Sequence, residues 1–336
     1  MPFQSPSRLK IAAYVGGMLG LVLLVGLVVR SDLPAMWRTL RASAAWNLLW
    51  LTPYRVLFFL LYAIGWRALL RPYDRQHRAG LGYTFWVTTV REAVDRLLPV
   101  ASVGGSFIAV RLMRWRGLAA SGIAATVAAE IVLTLSCLYL LTAVGLFLLS
   151  EIGASDATSR HILLALLLGL PVPVVTALLL RYGSVFGRIE AFLRPMLGEG
   201  ALSDGAAALD RELHACLSRG WTLAFVGALQ FAALLSASFE IWLALRLFGH
   251  PVDARGAVML ECMTQALRHV AFIVPAGLGV QEAAFVLFGH ALGVGSGLAI
   301  AVSMAKRLRE VLCGLPALAS WQLMEAARLR APVRSP

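Results

Sequence analysis

The chain has 336 residues, of which 59% are hydrophobic and 14% are charged, and its mean hydropathy is +0.77. Soluble domains carry about 25% charged residues, so this composition excludes an ordinary soluble enzyme and indicates a protein solvated mainly by lipid. The net charge of +12 comes from basic residues spread over many loops, which excludes the concentrated basic domain of a nucleic-acid-binding protein.

The N-terminal membrane half is predicted to comprise residues 1–180. Its first apolar run, 11–29, has a basic flank and is longer than the apolar core of a signal peptide, and no A-x-A site lies directly after it; we expect a retained helix. The run 119–149 would reach about 46 Å, more than the roughly 30 Å hydrocarbon core, so it must tilt or project. The predicted spans are 11–29, 46–66, 119–149 and 161–180, with an interrupted hairpin at 82–110.

An arginine-rich, partly amphipathic interval, 181–220, is predicted to be a cytoplasmic linker that joins this half to the C-terminal half, 221–336. The second half contains predicted spans at 221–247 and 296–325 and a second interrupted region at 257–293. The excess of arginine in cytoplasmic loops is satisfied when the first hairpin enters from the cytoplasm and the second from outside, although loop 30–45 fits this topology badly.

These elements predict an all-α, polytopic integral membrane protein of the bacterial inner membrane. It would have about six full spans, two re-entrant broken-helix hairpins that face each other, and both termini in the cytoplasm.

The two hairpins share a sequence pattern. "RLLPVASVGGSFIAVRL" (96–112) and "FIVPAGLGVQEAAFVLF" (272–288) both run from apolar residues through proline and glycine into a new apolar helix. The separation between Pro99 and Pro275 is close to half the length of the chain. Paired Gly/Pro interruptions in two halves are typical of transporters with an inverted repeat, and they point to the binding site.

Broken helices at membrane depth have a chemical consequence. Non-helical backbone there is tolerated only inside protein or beside a water-filled cavity. A helix that restarts after Gly104 and Gly105, or after Gly277 and Gly279, directs backbone N–H groups and a partial positive charge into that cavity. The pattern therefore favours a site for an anion, a lipid phosphate or a polar headgroup. The alternative is a packing kink between helices rich in small residues.

Charged residues inside the apolar regions cost about 2.5–3.5 kcal/mol each on insertion scales. In "TTVREAVDRLLP" the spacing predicts two i,i+4 ion pairs, Arg91 with Asp95 and Glu92 with Arg96. Such pairing is compatible with a functional site or with a self-paired structural cluster. Lone carboxylates also stand on apolar helices, each either functional or paired with an arginine: Glu130, Glu240 and Glu261.

The last predicted helix carries a surplus of positive charge. In "SMAKRLREVL", Lys306, Arg307 and Arg309 accompany one carboxylate, Glu310, which is predicted to reach Lys306 or Arg307. The two remaining cations need an outside partner, for which the candidates are Glu282, Glu261, a lipid phosphate or a substrate. Snorkelling to the membrane interface is the alternative.

Enzyme motifs are absent from the sequence. It contains no P-loop, no G-x-S-x-G and no H-E-x-x-H. The four cysteines show no CxxC or zinc-type spacing. We therefore predict no metal and no cofactor.

Two stretches carry a resemblance to a known family. "VPAGLGVQEAAFV" and the later "SMAKRLREVLCGLPAL" resemble the flippase-like membrane region of lysylphosphatidylglycerol synthases, and among its members the hopanoid-biosynthesis-associated (HpnL-like) ones. The resemblance covers nearly the whole chain and is most specific over 268–316, then over 91–112. In the bifunctional synthases this region moves an aminoacylated lipid across the membrane and a separate soluble domain makes it. This sequence shows no such domain, so lipid synthesis is not expected.

The resemblance implies a set of site residues, and this sequence departs from the family's pattern at one position. Ser106 stands where members of the wider family often carry a carboxylate after the glycine pair, which argues against a cationic, lysylated cargo. The residues that match the family's motifs are Arg91, Glu92, Pro99, Gly104 and Gly105 in the first hairpin, Pro275, Gly277, Gly279 and Glu282 in the second, and Arg307 and Glu310 in the last helix.

The sequence thus predicts a lipid translocase whose cargo is a polar lipid, with a hopanoid or its precursor as the expected class. Its partners are the bilayer, the lipid and, as candidates, lipid-biosynthesis enzymes, but no nucleic acid. The alternatives are a membrane-embedded enzyme that modifies a lipid headgroup, with Glu92, Asp95 or Glu282 as general base, and a scaffold. The substrate-binding candidates are the matched residues together with Asp95, Arg96, Arg268 and Lys306.

Overall fold

The computed structural model describes residues 51–98, 104–152, 171–183, 203–270 and 279–330. Within these ranges every regular element is a helix, which confirms the all-α class for the described part of the chain. The first predicted span, 11–29, and three predicted site residues, Pro99, Pro275 and Gly277, lie outside it. The helices are α1 (Leu51–Leu70), α2 (Leu81–Leu97), α3 (Gly104–Arg114), α4 (Ala120–Glu151), α5 (Pro171–Tyr182), α6 (Ser203–Leu217), α7 (Gly220–Leu247), α8 (Ala254–Val270), α9 (Val280–Gly289) and α10 (Ser296–Arg330), with a 3₁₀ turn at His290–Leu292.

Both interrupted regions fold as two helices each. The first consists of α2 and α3, which pack against each other, and the second of α8 and α9, which do the same. The other predicted spans coincide with single helices within a few residues, except that α5 is described only from Pro171. Helix α10 continues to Arg330, beyond the predicted end at residue 325, and Pro316 lies inside it without ending it.

Two of the described helices, α4 and α7, are long and apolar enough to cross a membrane, with hydropathies of 2.4 and 1.7 over their most apolar windows. Only 28% and 33% of those windows are buried inside the protein. Large apolar side chains instead point outward, among them Leu140 and Phe147 on α4 and Phe225 and Phe239 on α7. A water-soluble core helix would bury such a surface, so the outward faces of α4 and α7 are lipid-facing.

Each hairpin packs against the long helix of the other half. Helix α2 lies on α10, and α8 lies on α4. Small residues permit the close approach: a Cβ added to Gly145 of α4 would lie 2.7 Å from the Cβ of Cys262 on α8, and one added to Gly314 of α10 would contact the side chain of Leu97 on α2. This packing places the charged faces of α2, α8 and α10 inside the protein.

The helix boundaries recur along the chain with a fixed offset. Helix α3 begins at Gly104 and α9 at Val280, while α4 begins at Ala120 and α10 at Ser296. The separation is the same for both pairs of helices, and it equals the separation between Pro99 and Pro275 in the sequence. The two halves therefore contain the same order of helices around their interruptions.

The predicted linker 181–220 is not a detached segment where it is described. Its helix α6 packs against α4 and α5 and buries Leu213 and Cys216 completely. The hydroxyl of Tyr73, in the loop after α1, donates to the backbone oxygen of Glu212 at 3.0 Å. Burial raises the pKa of Tyr73 to about 12, so the hydroxyl keeps its proton at neutral pH and continues to donate.

Candidate functional site

The charged residues of α2 divide between two faces of the helix. Glu92 and Arg96 form the predicted i,i+4 pair, with Arg96 Nε 2.9 Å from Glu92 Oε1. Arg55 of α1 also reaches Glu92 Oε1, at 3.2 Å. One carboxylate on α2 is thus shared by two guanidiniums, one from its own helix and one from α1.

The other predicted pair, Arg91 with Asp95, is wrong. Arg91 forms an ion pair with Glu130 of α4, whose carboxylate is buried and would be costly without a cation. Asp95 instead accepts the backbone N–H of Gly105 at 2.9 Å. Its short side chain lies near the end of α2, where it satisfies an N–H that has no acceptor inside α3. The restart of α3 is therefore partly occupied by a protein carboxylate.

Gly105 has no room for a side chain at this contact. A Cβ there would meet the Arg91 backbone oxygen and lie 2.6 Å from Asp95 Oδ2. We expect Gly105→Ala to lower the free energy of unfolding by about 1–3 kcal/mol, the usual cost of overpacking, measured in detergent by denaturant titration. Gly82→Ala on the same hairpin is the matched control, because nothing lies within 4 Å of its added Cβ. Equal stability of the two variants would show that the Asp95–Gly105 contact does not hold the hairpin.

Two cations of α10 have the outside partners that the sequence offered, and a third pairs with a carboxylate of α7. Lys306 pairs with Glu261 of α8, and Arg307 with Glu282 of α9, with Arg307 Nη2 2.9 Å from Glu282 Oε1. Arg309 pairs with Glu240 of α7, Nε to Oε1 at 2.8 Å. All three pairs are largely buried: Glu282 and Arg307 are the most exposed, with 16% of each side chain accessible.

Glu310 does not contact Lys306 or Arg307, so the prediction for this carboxylate is wrong. Glu310 Oε1 lies 3.3 Å from Arg96 Nη1 of the first hairpin and 3.4 Å from Arg268 Nη1 of the second. Its own helix neighbours are drawn to other carboxylates, which leaves Glu310 for the two hairpins. We call Arg55, Glu92, Arg96, Glu310 and Arg268 the hairpin web, because these contacts join α1, α2, α8 and α10 in one chain of ion pairs.

Gln281 completes the web on the side of the second hairpin. It is 1% exposed, accepts from Arg268 Nη1 at 2.7 Å, and donates to Ser303 Oγ at 3.0 Å. The amide fixes Arg268 relative to α10 while Glu310 holds it from the other side. Helix α9 itself begins after Gly279, whose φ of 76° favours glycine, and it carries Glu282 in its first turn, where a carboxylate is stabilised by the helix dipole.

Equivalent positions of the two long helices carry opposite charges. Glu130 of α4 and Lys306 of α10 are separated by the same offset as the starts of these two helices. Each pairs with a hairpin helix of its own half, Glu130 with Arg91 of α2 and Lys306 with Glu261 of α8. The buried charge that fixes each hairpin to the following long helix therefore occupies the same place in both halves.

Four of the predicted site residues meet in the hairpin web: Glu92, Arg96, Arg268 and Glu310. Arg91 and Asp95 lie beside the web without an ion pair to it among the described contacts. His269 is exposed at the end of α8, and among the described residues its Nδ1 forms a hydrogen bond with the backbone oxygen of Gln265 at 2.7 Å. Arg55, Gln281 and the Arg309–Glu240 pair were not among the predicted site residues. Arg55 carried a usable signal, since it is a lone arginine inside the apolar span predicted at 46–66.

Comparison with known proteins gives one finding. A family model described as lysylphosphatidylglycerol synthase TM region matches residues 17–316, which is most of the chain. Neither the curated proteins nor the solved structures include a match to this chain. The matched range contains all ten described α-helices apart from the end of α10.

Proposed function

This chain belongs to the lysylphosphatidylglycerol synthase transmembrane-region family, and we propose that within this family it translocates a polar membrane lipid between leaflets. The family and the lipid-facing helices give a membrane protein with a lipid-related role. Translocation by two facing hairpins is the further step proposed here.

The hairpin web is the observation that carries the proposal. Arg96 and Arg268 belong to different interrupted regions, and both contact the same oxygen of Glu310. Placing ionised groups at membrane depth is costly. A need for stability alone does not explain these charges, because well-packed apolar residues of similar volume often make a protein as stable as a buried ion pair does. We infer that the buried charges are retained because the headgroup of a transported lipid can displace them.

The repeated helix order supports an inverted repeat. Transporters of this kind move one repeat against the other around a fixed site near the bilayer midplane. Arg96 has two carboxylate partners, Glu92 in its own half and Glu310 in the other. Under the proposal, the headgroup competes with the cross-half contact, and Arg96 keeps Glu92 while the halves separate.

For the cargo we propose a polar lipid of the hopanoid class or its precursor. The resemblance to the hopanoid-associated branch supports this class. Ser106 in the first hairpin also supports it, because a neutral hydroxyl at this place offers no counter-charge to a cationic, lysylated headgroup. The hairpin web contains three guanidiniums and two carboxylates, and this surplus of positive charge also disfavours a cationic headgroup.

A lipid inventory of a deletion strain tests the proposal. Total extraction gives the amount of each lipid class, and leaflet-selective labelling gives its distribution. We expect one class to be made in normal amounts but to stay in the inner leaflet or inner membrane, and wild-type protein to restore it. If that class instead disappeared while its precursor accumulated, the protein would be a lipid-modifying enzyme and the proposal would be wrong.

Variants of the ion pair between α9 and α10 test whether the second hairpin takes part in lipid translocation. Arg307→Ala and Glu282→Gln each break the pair between α10 and α9, so we expect either to restore lipid distribution poorly in the deletion strain. Immunoblotting of membranes checks that both reach the wild-type level. Full complementation at that level would remove this pair from the transport site.

A further inference from the structure

A small cavity adjoins the hairpin web between α1, α2 and α10. It has a volume of about 20 Å³ and is walled by three guanidiniums. The polar part of its lining consists of Arg55, Arg96, Arg309, Glu92, Glu310, Thr89 and Cys313. A site of roughly 10–15 Å³ accommodates one water-sized group. The cavity therefore has room for one or two atoms, such as a halide ion or the terminal oxygen of a larger anion.

The charges around this cavity do not balance. The hairpin web together with the Arg309–Glu240 pair contains four guanidiniums, from Arg55, Arg96, Arg268 and Arg309, and three carboxylates, from Glu92, Glu240 and Glu310. The cluster thus carries one net positive charge in a region where unpaired charge is costly. Asp95 is not part of the cavity wall; its carboxylate lies at the start of α3, where it accepts the backbone N–H of Gly105.

Arg309 gives a second, independent indication that the cavity binds an anion. Its side chain is 6% exposed, and its Nη2 has no hydrogen-bond partner in the part of the chain that the structure describes. A buried guanidinium N–H without an acceptor is destabilising. An anion in the cavity that Arg309 walls would supply both the missing acceptor and the missing negative charge.

We propose that the cavity walled by Arg55, Arg96 and Arg309 binds one monovalent anionic group. The group is either a free halide ion or a non-bridging oxygen of a lipid phosphodiester, because both present a single compact negative charge to converging guanidiniums. This inference concerns occupancy of the cavity alone and holds whether or not the protein translocates lipid. It identifies Arg309 and Arg55, which were outside the predicted set, as ligand-contacting residues.

The test uses the purified full-length chain in neutral detergent and follows its thermal unfolding midpoint. Sodium bromide replaces sodium gluconate at constant sodium concentration in one arm. In the other, phosphatidylglycerol is added in gluconate, with diacylglycerol, which has no phosphate, as the lipid control. We expect a saturable rise of about 2–4 °C. Saturation by bromide identifies a free-ion site, and saturation by phosphatidylglycerol but not bromide identifies a lipid phosphate. No saturable response in either arm would overturn the proposal.

Three variants locate the response. Arg55→Met removes the surplus charge while Glu92 keeps Arg96, so the rise should disappear. Arg255→Met removes an exposed cation on α8, with 77% of its side chain accessible, and should leave the rise intact. Cys313→Leu fills the cavity and keeps every charge, so it should also abolish the rise, and it replaces Arg55→Met as the test if that variant does not fold. A full response in Arg55→Met or in Cys313→Leu would place the anion elsewhere and contradict the proposal.

Discussion

Replacing Lys306 by methionine is expected to lower the free energy of unfolding by about 3–5 kcal/mol, because it leaves a buried carboxylate without its cation. Lys306 and Glu261 are both nearly inaccessible, with 5% and 2% of their side chains exposed. Glu261 keeps one neutral donor, Gln265 Nε2 at 2.7 Å, which does not compensate its charge. Denaturant titration of the purified protein in detergent measures the loss.

Two variants distinguish this cost from a general loss of charge. The double variant Lys306→Met/Glu261→Gln removes both charges, and we expect it to regain most of the stability, since a neutral pair of similar shape is tolerated. Arg255→Met breaks the exposed pair with Glu151, whose atoms are 3.8 Å apart, and should cost less than about 1 kcal/mol. A Lys306→Met variant as stable as Arg255→Met would show that α8 and α10 are not held together by this pair.

Replacing Glu310 by glutamine is expected to slow lipid translocation at least about tenfold, which corresponds to roughly 1.4 kcal/mol. Glu310 is the one described carboxylate that both Arg96 and Arg268 contact. Without its charge the two guanidiniums face each other across the halves, and losing one partner of a buried charge pair typically costs about 2–5 kcal/mol. The readout is the rate at which the lipid retained in the deletion strain reaches the outer leaflet.

Glu325→Gln provides the matched control on the same helix. Glu325 is similarly buried and pairs with Arg111 of α3, but it does not contact the hairpin web. This variant should lose stability comparably and keep its translocation rate per folded molecule. If both glutamine variants translocated at the same rate, Glu310 would be one more structural ion pair and the web would not be the transport site.

The composition determined the class of this protein. With 59% hydrophobic residues, the chain was predicted to be a helical membrane protein, because apolar side chains are stable in lipid whereas backbone polar groups there must be hydrogen-bonded within the protein. The long apolar runs predicted the positions of α4 and α7 within a few residues. The offset between Pro99 and Pro275 also anticipated the offset between the helices that follow them. These features are local in the sequence, so no tertiary knowledge was needed.

The partners of most of these charges were decided by tertiary structure. Helical spacing predicted Glu92 with Arg96 correctly, since both lie on one face of one helix. It failed for Asp95, which reaches the start of α3, and for Glu310, which lies between two hairpins that are distant in the chain. Periodicity reports which residues share a helix face, whereas an ion pair between helices depends on how those helices pack. The sequence by itself therefore determined that charges are buried here, and only the packing of α2 against α10 and of α8 against α4 and α9 decided which charges of different helices meet.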